Sequence, residues 1–280
     1  MYARSRSSAR SRSSAVATLD VDLPERYESL RLLATGGMGS VCRAYDNVLG
    51  RMVAIKLLAQ GYADDERAVR RFLREARAAA RLSGHPHVIT IYDVGDAGGR
   101  PYLVMEHLGG GTVADALRVG TASPADALRW IHEAALALDH AHSLGVLHRD
   151  VKPANMLLSR DRVLHLADFG IARLAAEHPI TSVNEMLGTA AYISPEQTRG
   201  RPATEASDRY ALAVAAFELL VGERPFGAED FAALARAHQQ APRPSASTGN
   251  PRLPAAVDPV LARGMAQRPE DRWSSAQAFA

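Results

Sequence analysis

Strand-like patterning of apolar and polar residues marks five stretches in the first third of the chain: Tyr27 to Leu33, Ser40 to Tyr45, Met52 to Leu58, Ile89 to Val94 and Pro101 to Val104. They predict a five-stranded sheet. One helix interrupts it, over Asp65 to Leu82, where Val69, Phe72, Leu73, Ala76, Ala79 and Ala80 recur on one face and arginines occupy the other. After the break at Gly109 to Gly111 the period becomes helical. Ser123 can cap and Pro124 suits a first helical position, so a helix is predicted to start there, with Leu128, Ile131, Ala135 and Leu138 as its buried stripe and Gly145 as its end. Further helices are predicted over Asp208 to Val221, Asp230 to Gln240, Pro259 to Ala266 and from Ser274 onward, separated by Pro/Gly-rich stretches. The chain stops at Ala280, inside the last of these, so a sensor or membrane-spanning segment is compatible with a longer product.

Composition narrows the class. With 280 residues and 47% apolar content the chain can bury a sizeable core. The longest apolar run, Tyr210 to Phe217 extended past Glu218 to Val221, is shorter than the roughly 20 residues that span a bilayer and reads as a buried helix. A formal charge of +2, with no basic stripe interleaved with aromatics in the body of the chain, gives no nucleic-acid signature. Cys42 is the sole cysteine, so an intramolecular disulfide and a cysteine-based zinc site are excluded and a reducing, cytoplasmic compartment fits. Residues 1–20 form a tail whose first seventeen positions are rich in Ser, Arg and Ala and carry no acidic residue, without apolar periodicity or an h-region; they read as disordered, with a transit peptide or an anionic-lipid contact as alternatives.

Of the 33 basic residues only Lys56 and Lys152 are lysines. In a chain that otherwise uses arginine, they mark places that require a compact ammonium on a flexible stem. Lys56 closes Val53-Ala54-Ile55-Lys56 at the end of a predicted strand. Upstream, Gly36-Gly37-Met38-Gly39-Ser40-Val41 lies between two strand patterns, where glycines let backbone amides close over phosphate oxygens. A dinucleotide fingerprint would have its glycines open a helix, and here a strand follows; a plain glycine-rich hairpin remains the structural alternative. Lys152 belongs to His148-Arg149-Asp150-Val151-Lys152-Pro153-Ala154-Asn155, a carboxylate, a cation and a magnesium-binding amide on one loop, and Asp168-Phe169-Gly170 follows.

This ordered set resembles the protein kinases from Tyr27 to Phe279, and within them the bacterial, eukaryotic-like serine/threonine kinases, judged from Gly-Gly-Met-Gly, Gly188-Thr189-Ala190-Ala191-Tyr192 and Ser194-Pro195-Glu196-Gln197. The resemblance implies an α+β, bilobal fold, with a β-rich small lobe over 27–107 and a mostly helical large lobe over 108–280. It implies that Gly36, Gly37 and Gly39 cover the ATP phosphates, and that Lys56 contacts them while pairing with Glu75. Asn155 and Asp168 would hold magnesium, or manganese in its place, and Asp150 would accept the substrate hydroxyl proton with Lys152 near the γ-phosphate. Val41 and Ala54 would lie above the adenine, Leu157 beneath it, and backbone groups of Glu106 and Leu108 at its edge; simple core packing suits the apolar members equally. Thr189, Glu196 paired with Arg272, and Asp208 as anchor of the catalytic loop carry structural roles. Thr181 and Ser182 are the expected autophosphorylation sites.

Ala34 departs from the pattern, standing where the first glycine of the phosphate loop is usual. Protein substrates and the chain itself are the implied partners, and a homodimer stays open. His85, His87, His140 and His142 show no ligand spacing, so no metal beyond nucleotide-bound magnesium is assigned. Retention of Lys56, Glu75, Asp150, Asn155 and Asp168 favours an active enzyme over a pseudokinase scaffold. The pattern from Gly188 to Glu196 favours a peptide substrate over a small-molecule phosphotransferase reading.

Overall fold

The computed structural model describes residues 23–36, 39–169, 188 and 190–280. The tail at 1–20, and Gly37, Thr181, Ser182 and Thr189 among the expected site residues, lie outside the described residues.

The small lobe is an antiparallel sheet of β1 (Tyr27–Gly36), β2 (Gly39–Asp46), β3 (Arg51–Leu58), β4 (Ile91–Ala97) and β5 (Arg100–Glu106), ordered β1-β2-β3-β5-β4. Central β3 is covered on both faces, which is why it reads as a nearly continuous apolar run. Val53, Ile55 and Leu57 pack with Cys42, Ala44, Tyr102 and Val104 on one side. On the other, Leu58 meets Phe72, Ala76 and Leu103, while Ala54 faces the inter-lobe cleft. Ile89, expected to begin the fourth strand, is instead buried ahead of β4; its N–H donates to the Leu166 carbonyl at 3.0 Å, and the Leu166 N–H donates to the His87 carbonyl at 2.8 Å. This segment therefore pairs with the large lobe before the chain re-enters the sheet.

Between β3 and β4 lie α1 (Gln60–Ala63), which the sequence reading did not separate, and α2 (Glu66–Ala80). Asp65 caps α2 by accepting from the Arg67 N–H at 2.8 Å. Its buried face is Ala68, Phe72, Glu75, Ala76 and Ala79, with Val69 and Leu73 half-buried against the same cluster. Ala80 was expected there and is exposed, because Ala79 and Leu82 occupy the inward positions of the last turn.

The large lobe contains α3 (Val113–Arg118), α4 (Pro124–Ser143), the two-stranded β6 (Met156–Leu158) and β7 (Leu164–Leu166), then α5 (Glu205–Val221), α6 (Phe231–Gln240), α7 (Ala246–Gly249), α8 (Val257–Gly264) and α9 (Ala276–Phe279). Capping boxes at Thr112 and Ser123 start α3 and α4. Leu128, expected in the α4 stripe, is exposed: Ala127, Trp130 and Ile131 take the core-facing positions of that turn, and the Trp130 indole N–H donates to the Arg162 carbonyl at 2.9 Å. Helix α5 is the centre of the lobe, buried nearly all round from Tyr210 to Phe217, and Gly264 lets α8 approach its Ala213. No helix among the described residues is long and apolar enough to cross a membrane.

Candidate active site

The tip of the β1–β2 hairpin is set by glycine geometry. Gly36 pairs with Gly39, whose φ of 150° lies where L side chains rarely go. A Cβ on Gly39 would collide with the Leu57 carbonyl oxygen, so only glycine lets β2 run against β3 here. Gly39→Ala is therefore expected to lower the thermal midpoint by several degrees and to weaken ATP binding, since a positive φ alone costs about 1–2 kcal/mol. Differential scanning fluorimetry with and without nucleotide checks both; an unchanged midpoint would show that the hairpin tip accommodates the methyl. Ala34 is exposed in β1 opposite Val41 and has no positive φ, so its methyl group sits in ordinary strand backbone.

Below the hairpin, Ala54, Ile89, Met105 and Ala167 form a buried apolar cluster, with Val41, Ile91, Leu108 and Leu157 partly buried against it. It draws on β2, β3, β5 and the segment before Asp168, and so lines the cleft from both lobes. Val41, Ala54, Leu108 and Leu157 were expected together. Ile89 and Ala167 were not, and only the position of Ala167 beside Asp168 could have signalled it. Glu106 ends β5, and its N–H donates to the Thr90 carbonyl at 2.9 Å.

Lys56 projects from β3, 7% exposed, and its Nζ donates to Asp168 Oδ1 at 2.8 Å. Burial would raise the Asp168 pKa, but the charge and hydrogen bond of the Lys56 ammonium, with a smaller contribution from Lys152, hold it below the usual carboxylate value. Asp168 has φ 64° and Arg149 φ 69°; neither is glycine, so each stores strain of order 1–3 kcal/mol. Asp208, at the start of α5, accepts from the backbone N–H groups of His148 and Arg149 at 2.8 and 2.7 Å. Its Oδ2 also lies 2.8 Å from His142 Nε2, a role for His142 that its spacing did not suggest. His148 is fully buried: its Nδ1 accepts from the Asp150 N–H and its Nε2 donates to the Ala167 carbonyl. Burial pushes its pKa down, which fits a neutral ring with one donor and one acceptor.

That scaffold presents Asp150. Its Oδ2 lies 2.8 Å from Lys152 Nζ and accepts from Asn155 Nδ2 at 2.9 Å, while the same amide nitrogen reaches the Asp150 carbonyl at 2.8 Å. With Nδ2 so engaged, Asn155 has Oδ1 left as a hard oxygen ligand. Asp168 likewise retains Oδ2 beyond its bond to Lys56. These oxygens fit a divalent metal that keeps waters and phosphate oxygens in its shell. Among the described residues no cluster of three or more His, Cys, Asp or Glu forms a self-sufficient metal cage. Glu75 lies on the buried face of α2, while the ammonium of Lys56 is assigned to Asp168.

Further from the cleft, Arg272 grips Glu196 through two bonds of 2.8 and 2.7 Å, and donates to the Ala206 and Ala266 carbonyls. The Ser207 hydroxyl completes the carboxylate's shell at 2.7 Å. Burial opposes ionisation of Glu196, but these donors overcome it and pull the pKa down to about 2.

A lysine and a carboxylate joined across an inter-lobe cleft, above a stapled loop bearing Asp150 and Asn155, define a two-lobed phosphoryl transferase. The chain belongs to the protein kinase domain family, whose profile matches residues 27–280. It is 40% identical over 253 residues to serine/threonine-protein kinase PrkC of Bacillus subtilis, and 43% identical over 261 residues to serine/threonine-protein kinase PknJ of Mycobacterium tuberculosis. These alignments cover 90% and 91% of this chain but only 39% and 44% of the relatives, so the chain spans about two fifths of their length. The crystal structure of the Mycobacterium tuberculosis PknI kinase domain matches with a TM-score of 0.71 at 31% identity, covering 94% of this chain and 96% of that one.

Proposed function

We propose that the chain transfers the γ-phosphoryl group of ATP to serine and threonine hydroxyls of proteins, itself included, as a step in signal transduction. The observation that carries this reading is the meeting of Lys56 with Asp168 across the cleft, above Asp150, Lys152 and Asn155. The apolar cluster around Ala54 takes the adenine, with backbone groups of Glu106 and Leu108 at its edge, and Gly36, Gly37 and Gly39 close over the phosphates. Lys56 neutralises phosphate charge, with Glu75 on α2 as the carboxylate that the family pattern pairs with it. Asn155 and Asp168 would hold magnesium, which would supply positive charge to neutralise the transferring group.

Asp150 then orients the incoming hydroxyl and accepts its proton as the oxygen–phosphorus bond forms and the bond to the ADP oxygen breaks. Lys152, held against Asp150, supplies positive charge near the transferring group. Glu196, Arg272, Asp208 and Thr189 act structurally. Thr181 and Ser182 are proposed as autophosphorylation sites on sequence grounds, because Arg149 offers a cation beside the catalytic loop that a phosphate between Asp168 and Glu196 can satisfy.

Incubation with γ-labelled ATP and magnesium, followed by acid hydrolysis of the labelled protein, tests the reading. Phosphoserine and phosphothreonine are expected, from the Asp-x-Lys-Pro-x-Asn form of the loop around Lys152. Predominant phosphotyrosine, or no incorporation into the chain or a general protein acceptor, would overturn it.

A further inference from the structure

Helix α2 carries charge that the phosphoryl-transfer machinery does not use. Arg67, Arg70, Arg74, Arg77 and Arg81 follow one another at spacings of three, four, three and four residues, and all five are exposed. At 3.6 residues per turn this places them in an arc of about 80°, opposite the buried face of Ala68, Phe72, Glu75, Ala76 and Ala79. The stripe is roughly 21 Å long at 1.5 Å per residue. Each successive pair is a like-charge neighbour on a helix surface, an arrangement that opposes helix formation, and Arg67 stands in the first turn, where the helix dipole disfavours a cation.

Little on this face relieves the repulsion. Glu66 bonds Arg70 at 2.8 Å, and the Asp65 carboxylate caps the helix backbone. Arg67, Arg74, Arg77 and Arg81 have no carboxylate at ion-pair distance among the described residues. The chain as a whole is nearly balanced, with 33 basic against 31 acidic residues, so the stripe is a local concentration rather than a reflection of net charge.

We infer that this face of α2 is a docking surface for an acidic segment, rich in Asp and Glu, of a protein substrate. Charge complementarity selects the segment, and the proposed action on proteins selects a polypeptide over a lipid surface or a nucleic acid; in that respect the inference rests on the kinase reading. The stripe spans roughly six residues of extended chain. Because it lies on the outer face of α2, away from Glu75 and Lys56, docking raises the local concentration of substrate without entering the phosphoryl-transfer geometry. It therefore acts on KM and leaves kcat alone.

The test begins without ATP, so that it stands independently of catalysis. A fluorescein-labelled Glu-rich peptide of about twelve residues, twice the stripe's span, is titrated with the protein and followed by anisotropy. Binding is expected to weaken steeply with NaCl, to fall about tenfold or more when Arg67, Arg70, Arg74 and Arg77 are all changed to Gln, and to survive within about threefold when they are changed to Lys. With a protein substrate bearing the same acidic segment, the Gln variant is expected to raise KM about tenfold while leaving kcat on a short neutral peptide unchanged. Equal peptide binding by wild type and Gln variant overturns the inference. So does tighter, stripe-dependent capture of anionic phosphatidylserine vesicles or duplex DNA than of the peptide. Absence of phosphate transfer to every peptide would instead overturn the kinase reading, and the anisotropy result would still decide the docking surface.

Discussion

Asp150→Asn is expected to lower kcat by roughly 10²–10⁴-fold while leaving ATP affinity within about threefold, the range set by loss of one positioned proton acceptor. The reason lies in what holds the side chain. Asp150 Oδ2 accepts from Asn155 Nδ2 and pairs with Lys152 Nζ, so an isosteric amide keeps one oxygen for the Asn155 bond but loses the charge that orients and receives a hydroxyl proton. The loop itself is carried by Asp208 and His148, which the substitution does not touch, so the thermal midpoint should stay within about 2 °C. The proposed nucleotide sites around Lys56 and Ala54 lie outside these bonds. Initial rates at saturating ATP, with binding of a fluorescent nucleotide analogue measured in parallel, check the split between chemistry and binding. A rate within about threefold of wild type would remove Asp150 from its proposed role.

Chemistry that is local in the chain was legible in the sequence. The Asp150 to Asn155 loop, the lysine of β3 and the glycine-tipped hairpin each carry their meaning within a few residues, and the five small-lobe strands were visible as short alternating or, for β3, continuous apolar runs. Contacts made across long separations were less legible. The apolar cleft joins Val41 to Ala167, and the Ile89 segment leaves the sheet because its N–H donates to Leu166; no local period encodes either. Nor does spacing reveal that Lys56 Nζ bonds Asp168, 112 residues away. Leu128 and Ala80 failed for a related reason. A helical stripe read from apolar letters alone does not say which of two adjacent apolar positions the neighbouring element covers, and Ala127 with Trp130, and Ala79 with Leu82, took those places. The left-handed backbone of Arg149 and Asp168 is imposed by tertiary hydrogen bonds against the preference of both residue types, so sequence reasoning could not have reached it.

Arg272→Ala is expected to destabilise the protein by about 3–5 kcal/mol, because it strips a buried carboxylate of its ionic partner and leaves Glu196 with the Ser207 hydroxyl and backbone. The midpoint should fall by roughly 10 °C. Arg272→Lys, which keeps the charge but cannot present two parallel N–H groups to Glu196 while reaching Ala206 and Ala266, should fall between. The pH dependence separates this pair from generic packing loss. In the wild type Glu196 is held at about 2, below its ordinary 4.5, so the pair's contribution is complete above pH 4.5 and is lost as pH falls toward 2. Integrated over that interval it is worth about 3 kcal/mol. Without Arg272, burial is opposed only by the Ser207 hydroxyl and the backbone, so the Glu196 pKa is expected to rise above the unfolded value and the variant to lose stability as pH rises from 4.5 through the new value. The midpoint gap between wild type and Arg272→Ala should therefore widen from pH 5 to pH 8, and adding Glu196→Gln should narrow it at pH 8 by removing the stranded charge. Thermal melts of the four proteins at both pH values measure this. A gap that is small, or equal at the two pH values, would mean that Arg272 contributes through its stacking on Tyr210 and its carbonyl bonds rather than through Glu196.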